Sequence, residues 1–88
     1  MKYNADMLIQ AITDLSGSVR EVVVKDRSTN SLHSFDDLPA RTVFYPNSRN
    51  PMSMEWYKFG SLFRSSGPAV IHYSNSGEVI NSVCKNEI

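Results

Sequence analysis

Cysteine is nearly absent from this chain: Cys84 is the one thiol in 88 residues. A lone thiol cannot close an intramolecular bridge, so the disulfide framework that staples many small secreted domains is excluded. Net charge is absent too, because nine basic residues balance nine acidic ones. That balance argues against a dedicated nucleic-acid binder, whose affinity rests on neutralising phosphates. The opening residues, Met1-Lys2-Tyr3-Asn4-Ala5-Asp6, lack the long apolar run of a signal peptide. No stretch approaches the roughly 20 apolar residues of a membrane span. The expected setting is therefore the cytoplasm, with no membrane partner.

The residues for catalysis or metal binding are equally sparse. His33, His72 and Cys84 are the only imidazole or thiol ligands, and no CxxC or HxxxH spacing links them. No glycine-rich phosphate loop is present, and no local context suggests a Ser-His-Asp arrangement. Asp36-Asp37 is the one adjacent acidic pair, and it reads as a solvated turn ahead of Leu38-Pro39-Ala40. Cys84 follows Val83 in a β-rich stretch and reads as a small buried hydrophobe. The expectation is a non-enzyme with no cofactor and no metal.

What the chain does have is 41% hydrophobic residues, nine aromatics among them, enough for one folded domain. Asn4 reads as a helix N-cap, with Asp6 placed to complement the helix dipole. Met7, Leu8, Ala11, Ile12 and Leu15 then recur at helical spacing, and Gly17 reads as the stop. Val19 to Lys25 is rich in β-branched residues and reads as a strand; the polar run from Arg27 to Ser31 reads as a hairpin tip. Further strands are expected at 42–45, 54–59, 69–73 and 78–84, separated by turn-forming residues. The predicted fold is α+β: one N-terminal amphipathic helix packed on a small antiparallel meander of about five strands.

The second half of the chain is repetitive. Leu32-His33-Ser34, Leu38-Pro39-Ala40, Phe44-Tyr45-Pro46-Asn47-Ser48 and Met54-Glu55-Trp56-Tyr57-Lys58 form one series. Leu62-Phe63-Arg64, Gly67-Pro68-Ala69, His72-Tyr73-Ser74-Asn75-Ser76 and Ser82-Val83-Cys84-Lys85 form the next. A drifting period of about 30 residues marks a repeated supersecondary unit. This divides a single domain into a helix-plus-strand cap at 1–31, a degenerate repeat at 32–60 and a better-kept one at 61–88.

The run from Trp56-Tyr57-Lys58 through Gly60, Arg64, Gly67-Pro68-Ala69 and Tyr73 to Gly77 resembles the MORN-like repeats of bacterial and bacteriophage proteins. Phe63 stands where that family usually has histidine, and Cys84 falls near the place of its next tryptophan. In the upstream copy Leu38 replaces the glycine. The resemblance implies a β-hairpin per repeat, two degenerate units stacked into a curled sheet, and a binding surface. In compact chains it also implies a phage-encoded factor that binds and inhibits or redirects a host or defence protein.

The residues expected to carry such binding are aromatic and basic: Tyr45, Arg49, Tyr57, Lys58, Phe59 and Arg64, the types that dominate interface hot spots. Trp56 reads as core. The eroded 46–52 segment is the place to look for a contact surface specific to this protein. Residues 38–64 carry Arg41, Arg49, Lys58 and Arg64 against Glu55, a local excess of three positive charges. Aromatic residues beside arginine also suit a single-strand nucleic-acid groove, so a nucleic-acid module using 41–64 is the alternative. An open sheet edge gives a third reading, self-association as a homodimer in place of a monomer.

Overall fold

The computed structural model describes residues 5–85. Among them are nine strands and no helix: β1 (Met7–Thr13), β2 (Val19–Asp26), β3 (Ser31–Leu32), β4 (Arg41–Phe44), β5 (Pro51–Glu55), β6 (Tyr57–Lys58), β7 (Ser61–Leu62), β8 (Val70–Tyr73) and β9 (Val79–Val83). One antiparallel sheet runs β1-β2-β4-β5-β8-β9, with β3 beside the end of β2, while β6 and β7 form a small hairpin of their own. The chain is thus a mostly-β domain.

The expected α+β architecture is overturned at the N-terminus, where β1 stands in place of the helix. Seven residues are too few to separate the two periods by pattern alone. Met7, Leu8, Ala11 and Ile12 fit a helical stripe, yet Met7, Ile9 and Ala11 also alternate with Leu8, Gln10 and Ile12. Ile9, Ile12 and Thr13 are β-branched, a type that favours strands, and β2 offers a valine-rich partner along its whole length. Gly17 ends no helix. It sits at φ 89° in a hairpin turn, where the Asp14 carboxylate accepts the N–H groups of Ser16 (2.9 Å) and Ser18 (3.1 Å). The expected N-cap, Asn4, lies outside the described residues.

Three long hairpins share one geometry. β1 and β2 pair Ile12 with Glu21 and then Thr13 with Val19, a bulge of one residue. β4 and β5 repeat it with Val43–Ser53 then Phe44–Pro51, and β8 and β9 with His72–Asn81 then Tyr73–Val79. The first and third turns also match: Asp14 N–H donates to the Ser18 carbonyl (2.9 Å) and Ser74 N–H to that of Glu78 (2.8 Å). Two joints connect the hairpins, Glu21–Val43 to Val23–Arg41 and Ser53–His72 to Glu55–Val70, again in equivalent registers.

Beyond each joint the chain makes a short crossover. Val24 N–H donates to the Ala40 carbonyl at 2.7 Å, and Trp56 N–H to that of Ala69 at 2.8 Å. Ala40 and Ala69 are both 0% exposed, so neither place admits a larger side chain without displacement. With Met7, Val23, Val24 and Trp56 they form the buried apolar core. Trp56 also divides the strand expected at 54–59 into β5 and β6. The β6–β7 turn places Phe59 (φ 46°) and Gly60 (φ 88°) in succession in the left-handed region, the pattern of a type I′ hairpin. A further correction falls at Cys84, which is exposed rather than buried.

Candidate functional site

The crossovers and the β6–β7 hairpin meet at one end of the sheet and enclose a cleft of about 430 Å³. Its walls carry His33, Trp56, Tyr57, Lys58, Phe63 and Arg64, with Asp37, Ser34, Ser65 and Ser66 around them. Asp37 organises one side. Its two carboxylate oxygens accept Arg64 Nε and Nη2, both at 3.0 Å, and Oδ2 also accepts the Ser66 hydroxyl at 2.8 Å. These bonds hold the Asp37 carboxyl below the usual carboxylate range, Arg64 contributing most. Asp36 and Asp37 take positive φ values, 53° and 59°, which aspartate tolerates better than most residues.

Arg64 is fixed from both sides. Its guanidinium lies 3.9 Å from the Trp56 ring centroid, and its Nη1 donates to the Pro68 carbonyl at 3.2 Å. Gly67 leaves the room this requires, since a Cβ there would stand 3.2 Å from Arg64 Nη1. The Trp56 indole N–H donates to the Asp37 carbonyl at 2.9 Å, so tryptophan, arginine and aspartate form a closed set across two crossovers.

The opposite side is aromatic. His33 stacks on Phe59 with centroids 4.2 Å apart, and Phe35 meets the same imidazole edge-on at 4.8 Å. Phe59 N–H donates to His33 Nδ1 at 3.1 Å, which needs the neutral ring with its proton on Nε2. Burial lowers the His33 pKa, partly offset by Asp26 and reinforced by Lys58. Lys58 is exposed, with its ammonium 5.3 Å from the Phe63 ring centroid. Tyr57 donates to Glu55 Oε1 at 2.9 Å, and burial followed by that carboxylate raises the phenol pKa.

Of the six residues expected to bind, Tyr57, Lys58 and Arg64 line this cleft, and Phe59 flanks it. Tyr45 and Arg49 lie at the other end of the sheet. Tyr45 is half-buried and donates its hydroxyl to the Tyr73 carbonyl at 2.7 Å. Arg49 is exposed on the β4–β5 turn, beside an open groove of about 680 Å³ walled by Val19, Val22 and Phe44. Sequence reasoning missed Asp37, His33 and Phe63 as parts of the cleft. A signal was present, because His33 and Phe63 follow the leucines at equivalent points of the two repeated series.

Arg41 belongs to neither opening. It bridges Glu21 (2.7 Å) and Glu55 (3.0 Å) across three strands. Among the described residues, no group of three or more His, Cys, Asp or Glu side chains could hold a metal ion. None of them forms a helix long and apolar enough to cross a membrane. No family model matches the chain, and no curated protein or solved structure does either.

Proposed function

We propose that this protein is a small non-catalytic binding module that captures another protein at the crossover cleft and acts by occupying it. One observation carries the reading. Tyr57, Phe63 and Lys58 converge on a cleft whose walls are locked by the Asp37–Arg64–Trp56 set, giving a surface already ordered before binding. Aromatic walls held in this way bury apolar partner groups without first losing side-chain freedom. Arg64 and Asp37 neutralise each other, so exposed Lys58 sets the sign of the cleft. The partner it suits is a protein segment with an acidic side chain next to an apolar one.

The nucleic-acid alternative loses its main support in this arrangement. Of the four cations in 41–64, Arg41 and Arg64 are engaged with carboxylates, and Arg49 and Lys58 stand at opposite ends of the sheet. The test retains the full chain on a solid support in lysate of the cell that makes it, beside Lys58→Glu and Arg49→Glu. The proposal expects one stoichiometric protein, kept by Arg49→Glu and lost by Lys58→Glu, with all three chains giving the same circular dichroism. Loss in Arg49→Glu alone would move the site to the turn groove, and no retained protein would remove the proposal.

A further inference from the structure

The two edges of the sheet are β1 and β9, and the exposed apolar residues concentrate there. Ile9 (46%) and Ile12 (50%) lie on β1; Val79 (59%), Ile80 (65%) and Val83 (46%) lie on β9. Sheet edges are ordinarily blunted by charge, proline or a covering loop, because an open edge templates pairing with another chain. Neither Met-Leu-Ile-Gln-Ala-Ile-Thr of β1 nor Val-Ile-Asn-Ser-Val of β9 contains a charged residue or proline. Of the inner strands, β2, β4 and β5 carry charges and β8 carries none.

The internal repetition says what fits these edges. β1, β4 and β8 are equivalent first strands of the three hairpins, and β2, β5 and β9 equivalent second strands. Each inner joint pairs a second strand with the next first strand. Among the described residues, β9 is a second strand that no first strand joins, and β1 is a first strand that no second strand joins. All steps in the order are antiparallel, so β9 of one chain would meet β1 of another in the same antiparallel sense. We propose that copies of this chain assemble head to tail, β9 on β1, in the register of the two inner joints.

Translating those joints gives the pairing residue by residue. Glu21–Val43 and Ser53–His72 become Asn81 opposite Ile12 of the second copy. Val22–Thr42 and Met54–Ile71 become Ser82 opposite Ala11; Val23–Arg41 and Glu55–Val70 become Val83 opposite Gln10. The crossover positions follow suit. Cys84 occupies the place of Val24 and Trp56, and Ile9 that of Ala40 and Ala69, so a small residue on β9 meets a larger one on β1. A contact of this kind uses two different surfaces, so it continues into rings or filaments and does not stop at two copies.

Sedimentation velocity over a concentration series tests the assembly, with Val83→Lys blocking β9 and Ile12→Lys blocking β1 at positions already exposed. The wild-type mass should rise with concentration beyond that of two chains. Each variant alone should stay at the mass of one chain, and an equimolar mixture of both should reach two chains and stop, since one open β9 and one open β1 remain. A wild-type mass of one chain throughout would overturn the proposal without reference to any variant. A dimer that persists in Ile12→Lys alone would replace it with symmetric β9-to-β9 pairing.

Discussion

The two ends of the sheet are built from the same hairpins yet held in different ways. At the hairpin-turn end, side chains mostly satisfy their own turn: Asp14 binds Ser16 and Ser18, and Ser74 binds Ser76 and the Glu78 N–H. Four bonds cross between hairpins there. Ser18 Oγ to Asn47 (3.2 Å) and Asn50 Nδ2 to the Asn75 carbonyl (2.6 Å) are both exposed. Arg20 Nε to the Phe44 carbonyl (3.2 Å) and the Tyr45 hydroxyl to the Tyr73 carbonyl (2.7 Å) are both partly buried, but none of the four closes around a buried ring. At the crossover end the bonds span long stretches of chain, as from Trp56 to Asp37 and from Arg64 to Asp37, and they close around a buried ring. Local bonds order a turn, whereas distant ones tie the loop closures together. The crossover end should therefore carry the stability that the turn end lacks, and it is also where the cleft lies.

Trp56→Ala is the strongest way to break that contrast. It removes a ring that is 4% exposed and unseats both the Arg64 guanidinium above it and the Asp37 carbonyl bond. Truncating a buried tryptophan costs about 3–5 kcal/mol. A domain of this size has about 5–10 kcal/mol in all, so urea denaturation should show most of the stability lost. A loss below about 1 kcal/mol would mean that the crossover end is no better anchored than the turns.

Asp37 comes next, and two substitutions separate its two duties. Asp37→Asn keeps a residue suited to positive φ but gives up the charge on Arg64, a partly exposed pair worth about 1 kcal/mol or less. Asp37→Ala also places a residue poorly suited to the left-handed region, adding about 1 kcal/mol. The folded-state pKa of Asp37 lies below its unfolded value, so its contribution is complete above the ordinary carboxylate range. It is lost as pH falls through the folded pKa. Equal denaturation midpoints for both variants would contradict the assignment of backbone strain to this residue.

How much of this was legible in the chain depends on how local each cause is. β2, β4, β8 and β9 coincide closely with β-branched runs bounded by turn residues, because strand preference and turn chemistry are both short-range. β1 was not legible. Its seven residues fit two periods, and the choice is made by pairing with β2 across a turn. β3 and β7, at two residues each, are too short to show any period. The site was half legible for the same reason. Aromatic and basic types pointed to Tyr57, Lys58 and Arg64, whereas the role of Asp37 is defined by an arginine 27 positions away. A charge count over 38–64 does not register that Arg41 and Arg64 are paired with carboxylates at Glu21 and Asp37, outside that window.

A gentler probe of the turn end is Tyr45→Phe, which deletes only the hydroxyl bonded to the Tyr73 carbonyl. One partly buried hydrogen bond is worth about 0.5–1.5 kcal/mol, and the remaining ring keeps its packing. Thermal unfolding should show a loss several times smaller than that of Trp56→Ala. A loss of equal size would abolish the ranking of the two ends.

The smallest effect should come from protons alone, and it should be confined to the cleft. The Phe59 N–H needs an unprotonated His33 Nδ1, and burial already holds the imidazole pKa below its usual value of about 6.5. With the folded pKa lower than the unfolded one, the unfolded chain binds the extra proton first, so this contribution is complete above pH ~6.5 and declines as pH drops from there towards the folded value. Lys58 faces the same ring and opposes its protonation, while Asp26 favours it. The protection factor of the Phe59 amide should therefore fall on acidification through that window, while those of the Ser18 and Glu78 amides of the turn end, held by Asp14 and Ser74, stay constant. His33→Gln should flatten the Phe59 response, having no proton to gain in this range. If Phe59 and the turn amides lose protection together, the acid response is global and His33 is no more than a packed side chain.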